Sequence, residues 1–321
     1  MRFLKCAFVV SVAAFFACCS DDSDSSPAEP TDIPASSDAT AEMGSSDAPG
    51  IESSATIPLS SASVPEDTSA NLIQSSASEI PVENPVVGLD VSGFATDSSG
   101  FYDLSTIYKA LLPTDKVVFL IRHAERDRNS ADLSVPLTVE GEAAAVALGQ
   151  KLVSEEEFTL ASSGVSRATV TATKIAEGRG QAATTESVLT YDTLGGNWFL
   201  LNPDTYSSAA SPLGGGFDVM TEWAYTGAND TMFYNIEERA NEFMNNFLIP
   251  HIGGWNRVTV AITHDYLIMT LTVFYTNRTV NLKSFENGRW INYMTGLAII
   301  QHADGSIQYV PVTGMDTGYM Y

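Results

Sequence analysis

The part of the chain that can fold contains no cysteine. All three cysteines of the 321 residues, Cys6, Cys18 and Cys19, lie within the first 19 positions. A domain without cysteine forms no disulfide, no zinc–thiolate site and no cysteine nucleophile. Its stability must therefore come from its hydrophobic core, and any covalent catalysis must use another side chain.

Basic residues are scarce, and one long segment has none. No Lys or Arg lies between Lys5 and Lys109, whereas 15 acidic residues lie between Asp21 and Asp97, and the whole chain has a net charge of −23. Nucleic-acid binding requires a basic face for the phosphate backbone. We therefore expect no nucleic-acid partner.

The segment over 20–100 also lacks hydrophobic periodicity. It consists mainly of Ser, Ala, Pro, Thr and acidic residues. Such a composition cannot bury enough apolar surface to offset the entropy of ordering the chain. We predict a disordered acidic linker over 20–100 and a folded domain over 101–321, which is long enough to bury a sizeable core.

The apolar run over 7–17 is too short to cross a bilayer, which requires ~20 residues. Arg2 and Lys5 precede this run, and the arrangement is typical of a secretory signal peptide, which we predict over 1–19. The signal ends in Phe15-Phe16-Ala17-Cys18, which resembles a bacterial lipoprotein box. We therefore expect lipidation of Cys18.

This box departs from the usual pattern at two positions. Phe15 stands where Leu is usual, and Cys19 follows Cys18 directly, so cleavage before either cysteine stays open. An ordinary cleaved signal with incidental cysteines is the alternative. With lipidation, we expect an exported protein anchored to a membrane of the bacterial cell envelope, on its periplasmic or surface side. A linker of ~80 residues would give it a reach of about 50 Å.

Predicted strands and helices alternate in the remaining residues. This alternation predicts an α/β three-layer sandwich, in which helices cover both faces of a mainly parallel sheet. The first predicted strand starts at Lys116. The other predicted strands cover Phe158–Ala161, Glu186–Tyr191, Val258–Thr263, Gly296–Gln301 and Gln308–Val312. The predicted helices cover Tyr102–Leu112, Val139–Val153, Arg167–Glu177, Asn235–Leu248 and a segment through Tyr275, and 195–230 is predicted to be rich in loops.

Polar residues follow three of these strands at the point where each strand ends. The strand that starts at Lys116 ends in Arg122-His123, and the strand Phe158–Ala161 is followed by Ser162, Ser163 and Arg167. The strand Val258–Thr263 is followed by His264. Ligands bind at the carboxyl ends of strands in open α/β sheets. We therefore expect two arginines and two histidines in one pocket.

These residues belong to four ordered motifs that together resemble the histidine phosphatase superfamily, which has the phosphoglycerate mutase-like fold. Among its branches we expect branch 1. The resemblance covers about 110–321. The motifs comprise Arg122, His123, Ala124, Glu125 and Asn129, then Leu137, Thr138 and Gly141, then Ser162, Ser163, Arg167, Ala168, Thr171 and Ala172, and finally His264.

The resemblance implies a phosphomonoester hydrolase that acts through a covalent phosphohistidine at His123, whose other ring nitrogen should be fixed by a backbone carbonyl. Arg122 and Arg167 can each donate a fork of N–H groups to phosphoryl oxygens. His264 can stabilise the charge that develops during transfer, and Asn129 and Arg126 are candidate substrate contacts. No metal and no cofactor are required, and the expected substrate is a phosphorylated small molecule or a phosphoprotein.

The leaving group needs a proton, and two aspartates are candidate donors. In branch 1 the donor follows the third strand, which favours Asp192 here. In the acid-phosphatase branch the Asp after the second His serves, and Asp265 fits that pattern. We predict Asp192 as the general acid and keep Asp265 as the alternative.

Two interpretations of function compete with the phosphatase. One is a non-catalytic surface lipoprotein that binds phosphate or glycans, and the other is a phosphomutase.

Four aromatic side chains in the loop-rich segment are predicted either to form a lid over the pocket or to pack a minor core: Trp198, Tyr206, Trp223 and Tyr225. His251 and His302 lie outside the motifs and are predicted to be structural or exposed.

Overall fold

The structure, a computed structural model, describes residues 88–127, 134–210 and 215–321. The predicted signal peptide, Cys18, the linker before residue 88 and Asn129 lie outside the described residues. In the described ranges, no helix has the length and apolar character needed to cross a membrane.

The described residues form one seven-stranded sheet and one two-stranded sheet. The order in the large sheet is β1-β8-β7-β2-β5-β3-β4, and β6 pairs with β9. The strands are β1 Tyr102–Asp103, β2 Lys116–Arg122, β3 Thr159–Ser162, β4 Leu189–Thr190, β5 Val258–Thr263, β6 Trp290–Ile291, β7 Thr295–Gln301, β8 Ile307–Thr313 and β9 Tyr319–Met320.

The large sheet is mainly parallel, as predicted. The neighbouring pairs β2–β5, β5–β3, β3–β4 and β1–β8 are parallel, and only β7, which lies between β2 and β8, is antiparallel to its neighbours. All the residues of β5, and six of the seven of β2, are buried. The apolar run Val117–Ile121 of β2 and the Val-, Thr- and Ile-rich sequence of β5 are typical of strands that helices cover on both faces of a sheet.

Helices pack on both faces and enclose two separate hydrophobic cores. One core lies against α1, α2 and α3, and the other lies against α5, α6 and α8. The helices are α1 Leu104–Ala110, α2 Val139–Lys151, α3 Ser166–Gly178, α4 Pro203–Ala210, α5 Gly216–Thr226, α6 Ile236–Glu242, α7 Ile249–Ile252, α8 Asp265–Tyr275 and α9 Ser284–Asn287. A π-helical segment, Phe243–Leu248, joins α6 to α7. The three-layer α/β class is confirmed.

The segment 195–230 contains more helix than the sequence indicates. α4 and α5 lie in this segment, and aromatic side chains from both helices are buried in the hydrophobic core. Its scattered Gly and Pro residues conceal the helical period. The predicted strand over Glu186–Tyr191 is also shorter than expected, since a 3₁₀ turn over Thr185–Ser187 precedes the two residues of β4.

Residues 88–100 pack on the domain, although their composition predicts that they belong to the linker. Leu89, Val91 and Phe94 lie against the core on the α1–α3 face. The Gln308 amide accepts a hydrogen bond from Leu89 N and donates one to Leu89 O, both at 2.9 Å. The folded domain therefore begins before residue 101. Three hydrophobic side chains without helical or strand periodicity are enough to hold this segment against the core.

Candidate active site

The carboxyl ends of β2, β5 and β3 lie side by side, which brings the predicted site residues together. Arg122 pairs with Thr263, and Ser162 pairs with Ile262. The ladder continues one residue beyond β2, where His123 N donates to Thr263 O at 3.0 Å. This bond fixes the backbone of His123 next to that of His264.

His123 is held in one tautomer by the backbone. Its Nδ1 lies 2.7 Å from Ala124 O, which can only accept, so Nδ1 carries the proton. Nε2 is therefore left with its lone pair. Only 2% of the side chain is exposed. The Ala124 carbonyl is thus the backbone acceptor that the resemblance implies for the second ring nitrogen.

The surroundings of His123 keep the ring neutral. Burial lowers its pKa well below the ordinary value of 6.5, and the positive charges of Arg122 and Arg167 and the neighbouring His264 act in the same direction. The hydrogen bond to Ala124 opposes them and does not reverse the shift. A neutral ring with a lone pair on Nε2 is the nucleophilic form of histidine.

Arg167 links the two histidines. It is the second residue of α3 and is buried, and its Nε donates to His123 Nε2 at 3.2 Å. Its Nη2 donates to His264 Nδ1 at 3.3 Å. Burial and the nearby charge of Arg126 lower its pKa to about 10, which leaves the guanidinium charged at neutral pH.

His264 is neutral as well. Burial lowers its pKa to about 4, helped by the charge of Arg167 and opposed by Asp265. Because its Nδ1 accepts from Arg167, its proton lies on Nε2, which donates to Ser163 Oγ at 2.8 Å. The ring centroids of His264 and His123 are 5.3 Å apart. This arrangement makes His264 a neutral hydrogen-bond donor through Nε2.

Arg122 is already held by protein groups at both ends of its fork. Nη1 donates to Ile291 O at 2.7 Å and lies 3.3 Å from Met320 Sδ, while Nη2 lies 2.8 Å from Asp265 Oδ2. Nε is buried and has no hydrogen-bond partner within the part of the chain that the structure describes. Both terminal nitrogens of Arg122 are thus bound to protein groups. The sequence leads us to expect instead that a fork of Arg122 N–H groups would donate to phosphoryl oxygens. Among the described residues, Nε is the one Arg122 nitrogen that has no acceptor.

The loop that follows His123 is fixed by the start of α2. Glu125 O accepts from Thr138 N at 2.9 Å, and Thr138 Oγ1 caps the helix by accepting from Gly141 N at 3.0 Å. A Cβ on residue 141 would lie 2.3 Å from Glu125 O, so only glycine fits. Glycine at position 141 therefore allows α2 to pack closely against the loop that follows His123.

Arg126 lies on this loop and is partly buried. Its charge lowers the pKa of both Arg167 and His264, after the larger effect of burial, which puts its guanidinium within electrostatic range of the site. Its Nη1 also donates to Asp127 O at 2.7 Å. The other candidate substrate contact, Asn129, lies outside the described residues and stays a prediction.

The two candidate proton donors have different surroundings. Asp192 is exposed, and it begins a 3₁₀ turn, Asp192–Leu194, that directly follows β4 at the same edge of the sheet. Leu194 O in this turn accepts from Thr263 Oγ1 at 2.6 Å, which ties the turn to the end of β5. Asp265, by contrast, is engaged with Arg122. The assignment of the acid stays a prediction.

The four aromatic side chains of the 195–230 segment pack as core rather than as an open lid. Tyr206 and Trp223 are buried, and Trp223 stacks on Phe233 with ring centroids 4.3 Å apart. Trp198 and Tyr225 pack against the same core. The core alternative is therefore the correct one of the two.

His251 and His302 are structural. His251 Nδ1 lies 2.6 Å from Phe247 O in an aromatic cluster. His302 is buried and lies 3.0 Å from Asp115 Oδ1 at the opposite end of β2. In the described ranges, no group of three or more metal-ligating side chains could hold a metal ion.

The sequence does not reveal the groups that hold Arg122 in position. Ile291, Trp290 and Met320 lie on β6 and β9, and Tyr293 stacks under the guanidinium with its ring centroid 4.4 Å from Cζ. These residues follow β5 by more than 25 positions and carry no motif. Strands of two residues give no periodic signal that could have identified them.

Comparison with known proteins gives a family match and a set of similar solved structures. Residues 118–272 match the histidine phosphatase superfamily (branch 1). No curated protein sequence matches the chain. Three solved structures illustrate the likeness. Phosphoglycerate mutase from Bacillus anthracis str. Sterne shares 15% identity, with a TM-score of 0.43, over 63% of this chain and 93% of that one.

The other two solved structures are phosphatases. A mycobacterial glucosyl-3-phosphoglycerate phosphatase shares 18% identity, with a TM-score of 0.42, over 63% of this chain and 99% of that one. Phosphoserine phosphatase from Entamoeba histolytica, in complex with 3-phosphoglyceric acid, shares 16% identity, with a TM-score of 0.43, over 63% of this chain and 98% of that one.

Proposed function

This chain belongs to the histidine phosphatase superfamily, and we propose that it hydrolyses phosphomonoesters through a covalent phosphohistidine at His123. The observation that carries the proposal is the state of His123. Its Nδ1–H donates to Ala124 O at 2.7 Å, and its Nε2 lone pair faces the Arg167 guanidinium at 3.2 Å. A neutral imidazole next to a cationic donor can attack an anionic phosphoryl group.

In the first step, His123 Nε2 forms a bond to phosphorus and the ester P–O bond breaks. The imidazole gains positive charge, which the Ala124 carbonyl stabilises through Nδ1–H. Arg167 Nε, which contacts Nε2 in the free enzyme, moves to a phosphoryl oxygen. Arg122 Nε supplies another donor, because it is buried without a protein acceptor among the described residues.

The leaving oxygen takes a proton from the Asp192 carboxyl, and the Asp192 carboxylate then accepts a proton from the attacking water. Water adds to phosphorus, the P–N bond breaks, and inorganic phosphate leaves. Asp192 suits this role because it is exposed and begins a turn that Thr263 Oγ1 ties to the end of β5. It can therefore exchange protons with solvent between turnovers.

Asp192→Asn is expected to slow esters with poor leaving groups by about 10²-fold and p-nitrophenyl phosphate by much less, because only a basic alkoxide needs a proton. The measurement is kcat/KM against leaving-group basicity. Asp204→Asn, an exposed aspartate on α4, is the matched control. An equal loss on all esters in Asp192→Asn would contradict the assignment.

Turnover of p-nitrophenyl phosphate in EDTA tests the proposed function. We expect release of inorganic phosphate without added metal, and an acid-labile, base-stable phosphoenzyme after rapid quench. Binding of phosphate without any turnover would favour the non-catalytic lipoprotein. Transfer of the phosphoryl group to a second substrate molecule in preference to water would favour the mutase.

We propose that the enzyme is exported and tethered through a lipid on Cys18. The support comes from the sequence, in which a short apolar run with basic residues before it ends at Cys18 and an acidic segment without Lys or Arg follows. The expected substrates are phosphorylated small molecules or phosphoproteins of the cell envelope. Cys18→Ser is expected to move the protein from the membrane to the soluble fraction, and Cys19→Ser is the matched control. Membrane retention of Cys18→Ser would contradict lipidation there.

A further inference from the structure

Arg122 is in an unfavourable electrostatic position. It is 5% exposed, it adjoins the buried Arg167, and the charge of Arg126 also acts on this region. A buried guanidinium near other guanidinium groups requires a counter-charge and fixed acceptors. Without them its side chain would have no single orientation beside the nucleophile.

Asp265 supplies that counter-charge. Its Oδ2 lies 2.8 Å from Arg122 Nη2 and accepts from Trp290 Nε1 at 3.3 Å, while its Oδ1 accepts from Tyr266 N at 3.1 Å. Trp290 itself is 2% exposed and stacks on Phe217 with ring centroids 4.2 Å apart. The indole is therefore a fixed donor that orients the carboxylate toward Arg122.

We propose that Asp265 is a positioning residue for Arg122, and that Trp290 holds Asp265 in place for this purpose. The Ile291 carbonyl accepts from Nη1, and the Asp265 carboxylate, which accepts from Trp290, binds Nη2. This arrangement leaves the Nε edge of Arg122 for a phosphoryl oxygen. This proposal rests on the proposed function, because it gives Arg122 its task in that reaction.

The same geometry argues against Asp265 as the general acid. A general acid must take up and release a proton in every turnover, which requires a carboxyl that can be protonated without breaking an ion pair. Burial acts to raise the pKa of Asp265, but the charge of Arg122, with His264 and the N–H donors of Trp290 and Tyr266, lowers it below its ordinary value. A carboxylate in this ion pair stays deprotonated, and taking up a proton would cost it the ion pair with Arg122.

The Asp265→Asn variant distinguishes positioning from a simple charge effect, because the two predict opposite changes in the affinity for phosphate. If Asp265 acted only through its negative charge, its removal would strengthen binding of an anion. If it positions Arg122, its removal weakens that binding, because a guanidinium without its counter-charge leaves the orientation that phosphate requires. The loss of one charge-assisted hydrogen bond corresponds to roughly a tenfold rise in the dissociation constant of phosphate.

The experiment titrates inorganic phosphate into the full chain and measures kcat/KM on esters with good and poor leaving groups. We expect Asp265→Asn to bind phosphate about tenfold more weakly and to lose kcat/KM equally on all the esters. Trp290→Phe, which removes the N–H donor and keeps an aromatic ring, should change both quantities in the same direction by a smaller factor. Asp304→Asn, on the β7–β8 turn at the opposite edge of the sheet, controls for net charge and should change neither. Circular dichroism and thermal melts verify that each variant folds.

Three results would overturn the assignment. One is unchanged or tighter phosphate binding in Asp265→Asn, and another is a loss of kcat/KM that grows with leaving-group basicity, which would make Asp265 the acid. The third is a wild type that binds no phosphate, which would remove the proposed function as well. A wild type that binds phosphate without turnover, with weaker binding in Asp265→Asn, would retain the positioning role and remove only the hydrolase.

Discussion

Replacing His123 with Ala is expected to reduce kcat/KM by about 10⁴-fold or more, because the step that forms the covalent intermediate then has no nucleophile. The phosphoenzyme formed from p-nitrophenyl phosphate should disappear in the same variant. The fold should persist, since within the described ranges the His123 ring bonds only to its neighbour Ala124 O and to Arg167, and the ladder bond from His123 N to Thr263 O is kept. Rapid-quench trapping and steady-state kinetics measure the two effects.

The pH dependence of the wild type provides a second readout of the same residue. Burial and the neighbouring positive charges lower the pKa of His123 well below 6.5. The attacking form of His123 is the neutral one, so the acid limb of kcat/KM is expected below pH 6.5, and lowering the pH through the His123 pKa removes activity. An acid limb centred at the ordinary histidine value would contradict the environment described for His123.

His251→Ala is the matched control for the loss of an imidazole. His251 lies in an aromatic cluster with Tyr191, Phe247 and Trp255, outside the site. We expect lower stability and nearly unchanged kcat/KM in this variant. A phosphoenzyme that persists in His123→Ala would transfer the role of nucleophile to another side chain.

The sequence predicts the centre of the fold well because β2 and β5 are buried on both faces. A strand in that position carries few charged or strongly polar residues, so the apolar run Val117–Ile121 and the Val-, Thr- and Ile-rich run Val258–Thr263 stand out without any alignment. The polar residues just beyond them are then identified by position alone. For this reason the sequence could predict that His123, Arg167 and His264 lie together at the carboxyl ends of the strands.

The supporting groups could not be predicted, because their roles depend on contacts between distant segments. Asp265 follows His264, and its position in the sequence suggests only an acid, since nothing in its neighbourhood indicates an ion pair with Arg122. That pairing depends on Trp290 and Ile291 in a strand of two residues. Residues 88–100 escape prediction for a related reason, because the composition of the linker hides three hydrophobes that bind to a core formed elsewhere.

Arg167 is the other residue whose loss should have a large effect, and its effects on activity and stability are expected to differ in direction. It contacts both histidines through Nε and Nη2, at 3.2 Å and 3.3 Å. Arg167→Met is expected to lower kcat/KM by about 10³-fold, because a preorganised donor to the transition state is lost. Arg167→Lys should recover no more than about tenfold of this loss, since an ammonium group does not reproduce the planar fork.

The stability of Arg167→Met should equal or exceed that of the wild type. Burial and the charge of Arg126 lower the pKa of Arg167 to about 10, which means that the folded protein disfavours the charge it holds there. Active sites retain such unfavourable groups for function. Arg257→Met is the matched control, because Arg257 pairs with Glu156 at 2.6 Å near the opposite end of β2 and that bond raises its pKa. Thermal melts and kinetics should therefore show a less stable, fully active Arg257→Met and a stable, inactive Arg167→Met. A less stable Arg167→Met with normal kcat/KM would make Arg167 a structural residue.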